Sequence, residues 1–224
     1  KDCVCLGDDN DYFCTGVLVG PNVVVTAAHC IFDRWGNVSP ITRAFIGSDL
    51  SDSDSGTETV VVTHTIPHPK YTPGGSDERP SHDIAVLVLE RAAAKATPVG
   101  LIAPADVQSI STLLVGFGTT DPGASEGFGV KREVTVPILY LWKNSSDDHL
   151  KAQAAVKGFH LHTEFVAEAK RHDADTCAGD SGGPAYVKQG DGSKRYLLGL
   201  TSRAVEDYSQ LCGDGGVYTL VAPH

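Results

Sequence analysis

Short apolar runs rich in β-branched residues, each closed off by glycine, proline or asparagine, constrain this chain more than any other feature. Val23-Val24-Val25 follows directly on Gly20-Pro21-Asn22 within the run Val17–Ala27. Thr59–Thr65, Ile84–Leu89, Leu113–Gly116, Val134–Leu139, Tyr196–Thr201 and Gly216–Val221 continue the series. Runs of this length between turn formers read as strands, because branched side chains pack well on a pleated surface. With 24 glycines and 12 prolines in 224 residues, turns are frequent and long helices are disfavoured. The pattern predicts an all-β barrel or sandwich. Two stretches differ. Residues 148–157 are rich in helix formers and predict one short helix, and the polar, acidic residues 48–58 predict a solvated loop.

The length and a hydrophobic content of 41% suit one or two compact units with a sizeable core. The net charge of -10 argues against a nucleic-acid partner, which wants a basic stripe, and favours encounter with cationic substrates. The sequence has no run of about 18 apolar residues, so no membrane span is expected. It contains no methionine, so Lys1 is not expected to be a translation start and the chain reads as a processed or trimmed product. Six cysteines, at 3, 5, 14, 30, 177 and 212, permit full pairing, which implies an oxidising compartment. Zinc binding or buried free thiols are the other readings. Only Cys3 and Cys5 are closely spaced, and no second close pair completes a four-ligand zinc site.

Three segments carry chemistry. Thr26-Ala27-Ala28-His29-Cys30 closes a strand, His82-Asp83-Ile84-Ala85-Val86-Leu87 opens one, and Gly179-Asp180-Ser181-Gly182-Gly183-Pro184 is a tight glycine-rich turn. A serine hydroxyl is a poor nucleophile at neutral pH unless a neighbouring histidine takes its proton. A buried carboxylate then fixes the imidazole tautomer and stabilises the imidazolium. The backbone N–H groups of Gly179 and Ser181 can point into one hollow and hold an oxyanion. One such donor contributes about 3 kcal/mol to a transition state.

The order His29, Asp83, Ser181 and all three motifs resemble the trypsin/chymotrypsin family of serine proteases. Phe13-Cys14-Thr15-Gly16, His68-Pro69-Lys70-Tyr71, Val115-Gly116-Phe117-Gly118, Gly199-Leu200-Thr201-Ser202 and Gly215-Gly216-Val217-Tyr218 extend the resemblance over most of the chain, with Phe117 where tryptophan is usual. The resemblance implies one peptidase domain, 1–224, built of two six-stranded antiparallel β-barrels, about 1–108 and 109–224. The catalytic residues His29, Asp83 and Ser181 would lie in the cleft between them. It implies a secreted endopeptidase (periplasmic in a bacterium) acting on protein or peptide substrates through an acyl-enzyme, open to a protein inhibitor and needing no cofactor. It also implies disulfides Cys14–Cys30 and Cys177–Cys212. Cys3 and Cys5 have no counterparts, and a bridge across Val4 alone would be strained.

Asp175 precedes Ser181 by six residues. In trypsin-like members that position is the floor of the primary pocket, where a carboxylate selects arginine or lysine. The alternative is a solvated aspartate in the polar run His172, Asp173, Asp175. Ser202, Ala204 and Gly216 fall at pocket-wall positions. Arg203 and Ala204 replace the family's usual Trp-Gly after the pocket serine. Arg203 could reach toward Asp175, and Ala204 could narrow the pocket mouth. Asp180 matches the aspartate that, in the family, pairs with a new N-terminus of Ile-Val-Gly-Gly type after activation cleavage. Lys1-Asp2-Cys3 is not such a sequence. Three readings follow: an activating segment trimmed away, an Asp180 met by another cation, or an inactive form.

The acidic loop sits where trypsins carry a calcium loop, and Asp49, Asp52, Asp54 and Glu58 offer hard oxygen ligands for a structural calcium. A solvated acidic loop is the other reading. His160 and His162 read as surface residues, and Asn37 and Asn144 open glycan sequons. The rivals to an arginine- or lysine-cleaving protease are a protease of other specificity and a zymogen-like or catalytically silent homologue that serves as a binding protein.

Overall fold

A computed structural model describes residues 2–32, 36–39, 41–54, 56–73, 81–143, 148–168, 174–206, 209, 210 and 212–224. The sequon at Asn144 and the polar pair His172 and Asp173 lie outside them. The strands β1 (Cys3–Gly7), β2 (Tyr12–Gly20), β3 (Val23–Thr26), β4 (Arg43–Ile46), β5 (Glu58–Pro67) and β6 (Ala85–Leu89) close into a barrel in the order β1-β2-β3-β6-β5-β4. A second closed barrel, ordered β10-β11-β12-β9-β8-β7, is made of β7 (Ser111–Gly116), β8 (Arg132–Tyr140), β9 (Glu164–Ala167), β10 (Pro184–Gln189), β11 (Lys194–Ala204) and β12 (Gly216–Leu220). Every pairing within the two barrels is antiparallel. The one α-helix among the described residues, α1, spans Asp148–Lys157.

Closure removes the exposed edges that open sheets must protect. β5 shows the pattern behind it. Val60 and Val62 point into the first core, whereas Val61 and Thr63 face outward. β1 is buried on both faces. Val4 and Leu6 fill the first barrel, while Cys3 and Cys5 face the second and pack with Val17, Val25, Phe45, Val115, Phe117 and Tyr186. These seam residues lock the barrels together, each fully buried apolar side chain contributing about 1.5–3 kcal/mol. Cys3 and Cys5 remain thiols, and burial pushes the pKa of each up to about 12, so they serve as seam packing. The other four cysteines pair as Cys14–Cys30 and Cys177–Cys212.

Candidate active site

Register places the first two site residues. Thr26, the last residue of β3, pairs with Ala85, the first of β6. The chain after β3 and the chain before β6 therefore emerge at the same end of the barrel. After β3 a short 3-10 turn, Ala28–Ile31, buries Ala28, Cys30 and Ile31 and leaves His29 about one-third exposed (34%). Asp83, 1% exposed, meets it from below. Asp83 Oδ1 accepts the His29 backbone N–H at 2.9 Å, and Oδ2 lies 2.8 Å from the His29 ring Nδ1. The Ser202 hydroxyl donates to the same Oδ2 at 2.6 Å. The Ser202 hydroxyl is thus committed to Asp83.

Burial alone would raise the Asp83 pKa. The charge and hydrogen bonds of His29, with the Ser202 hydroxyl, outweigh it and hold the carboxyl below its usual range. Burial alone would lower the His29 pKa, but the Asp83 charge and hydrogen bond outweigh it and hold the imidazole above 6.5, with Arg203 opposing. A carboxylate on Nδ1 favours the tautomer whose Nε2 is a free acceptor.

The serine turn docks onto the first barrel. Ser181 O accepts the Thr15 N–H at 2.9 Å, Gly179 O accepts the Thr15 hydroxyl at 2.8 Å, and the Cys30 sulfur lies 3.6 Å from Ser181 O. Ser181 is thereby held beside the turn that carries His29. The approach demands glycine at 182, where φ is +76° and a Cβ would lie 2.0 Å from Thr26 Oγ1 and 2.5 Å from Thr15 O. Gly179 has a φ of +94°. Among the described residues, neither the Gly179 nor the Ser181 N–H has a protein acceptor, whereas the Asp180, Gly182 and Gly183 N–H groups are all bonded within the fold. Nor does a hydrogen bond join the His29 ring to the Ser181 hydroxyl here. Such bonds often form only around a bound substrate.

Asp180 turns inward. Its Oδ1 accepts the Gly118 N–H at 2.8 Å and its Oδ2 the Cys177 N–H at 2.9 Å. No cationic side chain among the described residues pairs with it. Burial, with the Asp175 charge, raises its pKa to about 6 against those two amide bonds. A cavity of about 440 Å³ opens beside it, lined by Gly116, Gly118, Arg132, Cys177 and both Asp175 and Asp180.

Asp175 stands in that cavity on a cradle of amides. Oδ2 accepts from Gly215 N at 2.9 Å and Gly213 N at 3.3 Å, and Oδ1 from Thr176 N at 2.7 Å and the Tyr218 hydroxyl at 3.4 Å. Burial still raises its pKa. Gly216 lies opposite Ala204 in the β11–β12 ladder, and a Cβ there would come within 2.9 Å of the Tyr218 hydroxyl. Arg203 does not reach toward Asp175. It forks onto the fully buried Glu164 of β9, Nη1 to Oε1 at 2.7 Å and Nη2 to Oε2 at 2.9 Å, and Nη2 also donates to Gly158 O at 2.6 Å. The planar guanidinium meets a matching carboxylate there, which leaves Arg132 as the cationic side chain in the cavity's lining.

The four acidic residues of the 48–58 loop do not converge. Asp49 accepts from Ser51, and Asp54 from the Gly56 amide. Glu58 pairs with Arg91 and takes the Ala94 and Lys95 amides at 2.8 and 2.9 Å. Among the described residues no three of Asp49, Asp52, Asp54 and Glu58 come within ligand distance of one another. Calcium needs six to eight oxygens at about 2.3–2.6 Å, so this arrangement does not fit it. His162 is exposed and meets Trp142 edge-on, and the His160 amide donates to Glu164. Sequence reasoning missed the Ser202–Asp83 bond and the Arg203–Glu164 fork. An arginine in place of tryptophan marks the second as unusual, but nothing in sequence spacing names its partner.

The trypsin family model matches residues 4–224. A trypsin of Saccharopolyspora erythraea is 31% identical over 96% of this chain and 85% of its own length. Trypsin-1 of Astacus astacus is 26% identical over 95% and 85%. Human kallikrein-8 is 30% identical over 92% and 72%. The solved structure of neuropsin, a serine protease expressed in the limbic system of mouse brain, superposes with a TM-score of 0.75 at 27% identity, covering 99% of this chain and 90% of its own. Two closed antiparallel barrels, a family match over nearly the whole length and these relatives together place the chain in the trypsin family of serine proteases, which are peptide hydrolases.

Proposed function

We propose that this protease cleaves peptide bonds after arginine or lysine, with Ser181 as nucleophile, His29 as general base and then acid, and Asp83 as the group that orients His29. Ser181 Oγ attacks the scissile carbonyl carbon as His29 Nε2 takes its proton. The oxyanion sits on the Gly179 and Ser181 N–H groups. Collapse breaks the C–N bond, and His29 returns the proton to the leaving amine. Water then repeats the sequence on the acyl-enzyme and frees the acid product.

The observation that carries the reading is the bidentate seat of His29 on Asp83, at 2.8 and 2.9 Å, beside a serine turn whose Gly179 and Ser181 amides have no acceptor among the described residues. The choice of arginine or lysine rests on Asp175, a carboxylate on an amide cradle that no cationic side chain among the described residues pairs with. An apolar side chain would leave it unpaired. Asp180 beside the same cavity is the carboxylate that an inserted N-terminal ammonium would neutralise, so activation by cleavage belongs to this reading. Two disulfides and an acidic surface support secretion into an oxidising compartment, with protein or peptide substrates and a protein inhibitor as partners.

Arginine, lysine, phenylalanine and glutamate chromogenic amides test the proposal. Ser181→Ala abolishes all turnover. Asp175→Ser lowers kcat/KM for the cationic pair by roughly ten- to hundredfold relative to phenylalanine, the value of one charge-assisted contact. Unchanged hydrolysis by Ser181→Ala refutes the mechanism, and an unchanged preference in Asp175→Ser refutes the specificity alone.

A further inference from the structure

Three histidines that the proteolytic reading leaves unused meet at the mouth of the Asp83 segment. His68 follows β5, His82 immediately precedes Asp83, and His224 follows β12 in the second barrel. The His68 and His82 rings stack at 4.6 Å with 13° between their planes. The His224 ring stands nearly perpendicular to both, at 4.8 and 5.0 Å. The backbone sets them there. His68 N donates to Ile84 O at 2.9 Å, Ile84 N to His82 O at 2.8 Å, and His224 N to Val221 O at 3.1 Å. His82 holds a φ of +55°, a left-handed conformation uncommon outside glycine.

We propose that His68, His82 and His224 form a binding site for a divalent transition-metal ion of the Zn2+ class. Imidazole nitrogens bind Zn2+ at about 2.0–2.1 Å, so two ligands of a tetrahedral ion lie about 3.4 Å apart. His82 Nδ1 and His224 Nδ1 are 3.4 Å apart. One nitrogen from each of the three rings lies within 4.8 Å of the others. Bringing the His68 nitrogen to the same spacing takes a movement of less than about 2 Å, within reach of an imidazole turning about its side-chain bonds. His68 gives up one weak contact in doing so, the 3.2 Å acceptance of the Lys70 N–H. His68 and His82 are half-buried and His224 is exposed, so the fourth position opens to water. Three neutral nitrogen ligands suit Zn2+, Cu2+, Ni2+ or Co2+ and not the oxygen-seeking Ca2+ or Mg2+. Bound metal joins the Asp83 segment of the first barrel to the last turn of the second.

The test uses the full chain carrying Ser181→Ala, which prevents self-digestion. Calorimetric titration with Zn2+ is expected to give one ion per chain, with no heat from Ca2+. Co2+ is expected to give the visible absorption of a tetrahedral site. His224→Ala alters an exposed side chain outside the core and is expected to weaken Zn2+ binding at least about tenfold. His68→Asn is expected to do the same, and His64→Ala, on the exposed face of β5, leaves it unchanged. Folded protein that takes up no Zn2+, or binding that survives both His68→Asn and His224→Ala, overturns the proposal. Neither result bears on Ser181, His29 or Asp83.

Discussion

Replacing Asp180 by asparagine isolates a buried carboxyl that has amide partners but no ion pair among the described residues. Asp180 accepts two backbone amides but forms no ion pair with a cationic side chain among the described residues, and burial lifts its pKa from 3.8 to about 6. In the unfolded chain the same carboxyl titrates near its ordinary value. Between about pH 4 and pH 6 the folded state therefore holds a proton that the unfolded state has lost. Stability from this group falls as pH rises through that window, by about 1.4 kcal/mol per pH unit and about 3 kcal/mol in total. Asparagine does not titrate. Its altered hydrogen bonding with the Gly118 and Cys177 amides adds an offset that does not depend on pH. Urea unfolding of Ser181→Ala with and without Asp180→Asn, from pH 4 to pH 8, reads the difference directly. The asparagine protein is expected to gain about 2.4 kcal/mol relative to the aspartate protein between the ends of the series. A difference that stays flat with pH refutes the argument that the carboxyl is buried without compensation.

Other consequences follow from the same geometry. Arg203→Ala strands the buried Glu164 carboxylate and is expected to cost about 3–5 kcal/mol in chemical denaturation, while Arg203→Met combined with Glu164→Leu recovers most of it. Gly182→Ala drives a methyl group to 2.0 Å from Thr26 Oγ1 at a positive φ, so loss of folded protein, or of activity with the barrels pushed apart, is expected from a change that adds one carbon. The proposed mechanism requires a neutral His29, so kcat/KM is expected to rise with pH through the raised His29 pKa. Asp83→Asn removes the charge that raises it and is expected to lower kcat/KM by about 10^4-fold while moving the acidic limb to lower pH.

The motifs around His29, Asp83 and Ser181 were readable because each packs its chemistry into a few adjacent residues. The barrels were readable from β2, β3, β5 and β6, whose branched runs lie between clear turn signals. β1, β4, β9 and β10 escaped for physical reasons. β1 is buried on both faces because it lies in the seam, so it shows no alternation. β9 carries a buried glutamate that looks like a surface residue until Arg203, 39 positions later, is seen beside it. The destination of the Ser202 hydroxyl depends on the meeting of two barrels, as does the gathering of His68, His82 and His224. No local pattern encodes either. The acidic loop illustrates the reverse: its carboxylates share a segment but turn to separate partners.

Labelling with a serine-directed organophosphorus reagent, read by intact mass and peptide mapping, tests the core of the account. The native protease is expected to take up one equivalent at Ser181, and His29→Ala to take up essentially none under the same conditions. A folded, native protein that stays unlabelled, or a His29→Ala variant that labels as fast as the parent, contradicts the claim that these two residues act together across the cleft.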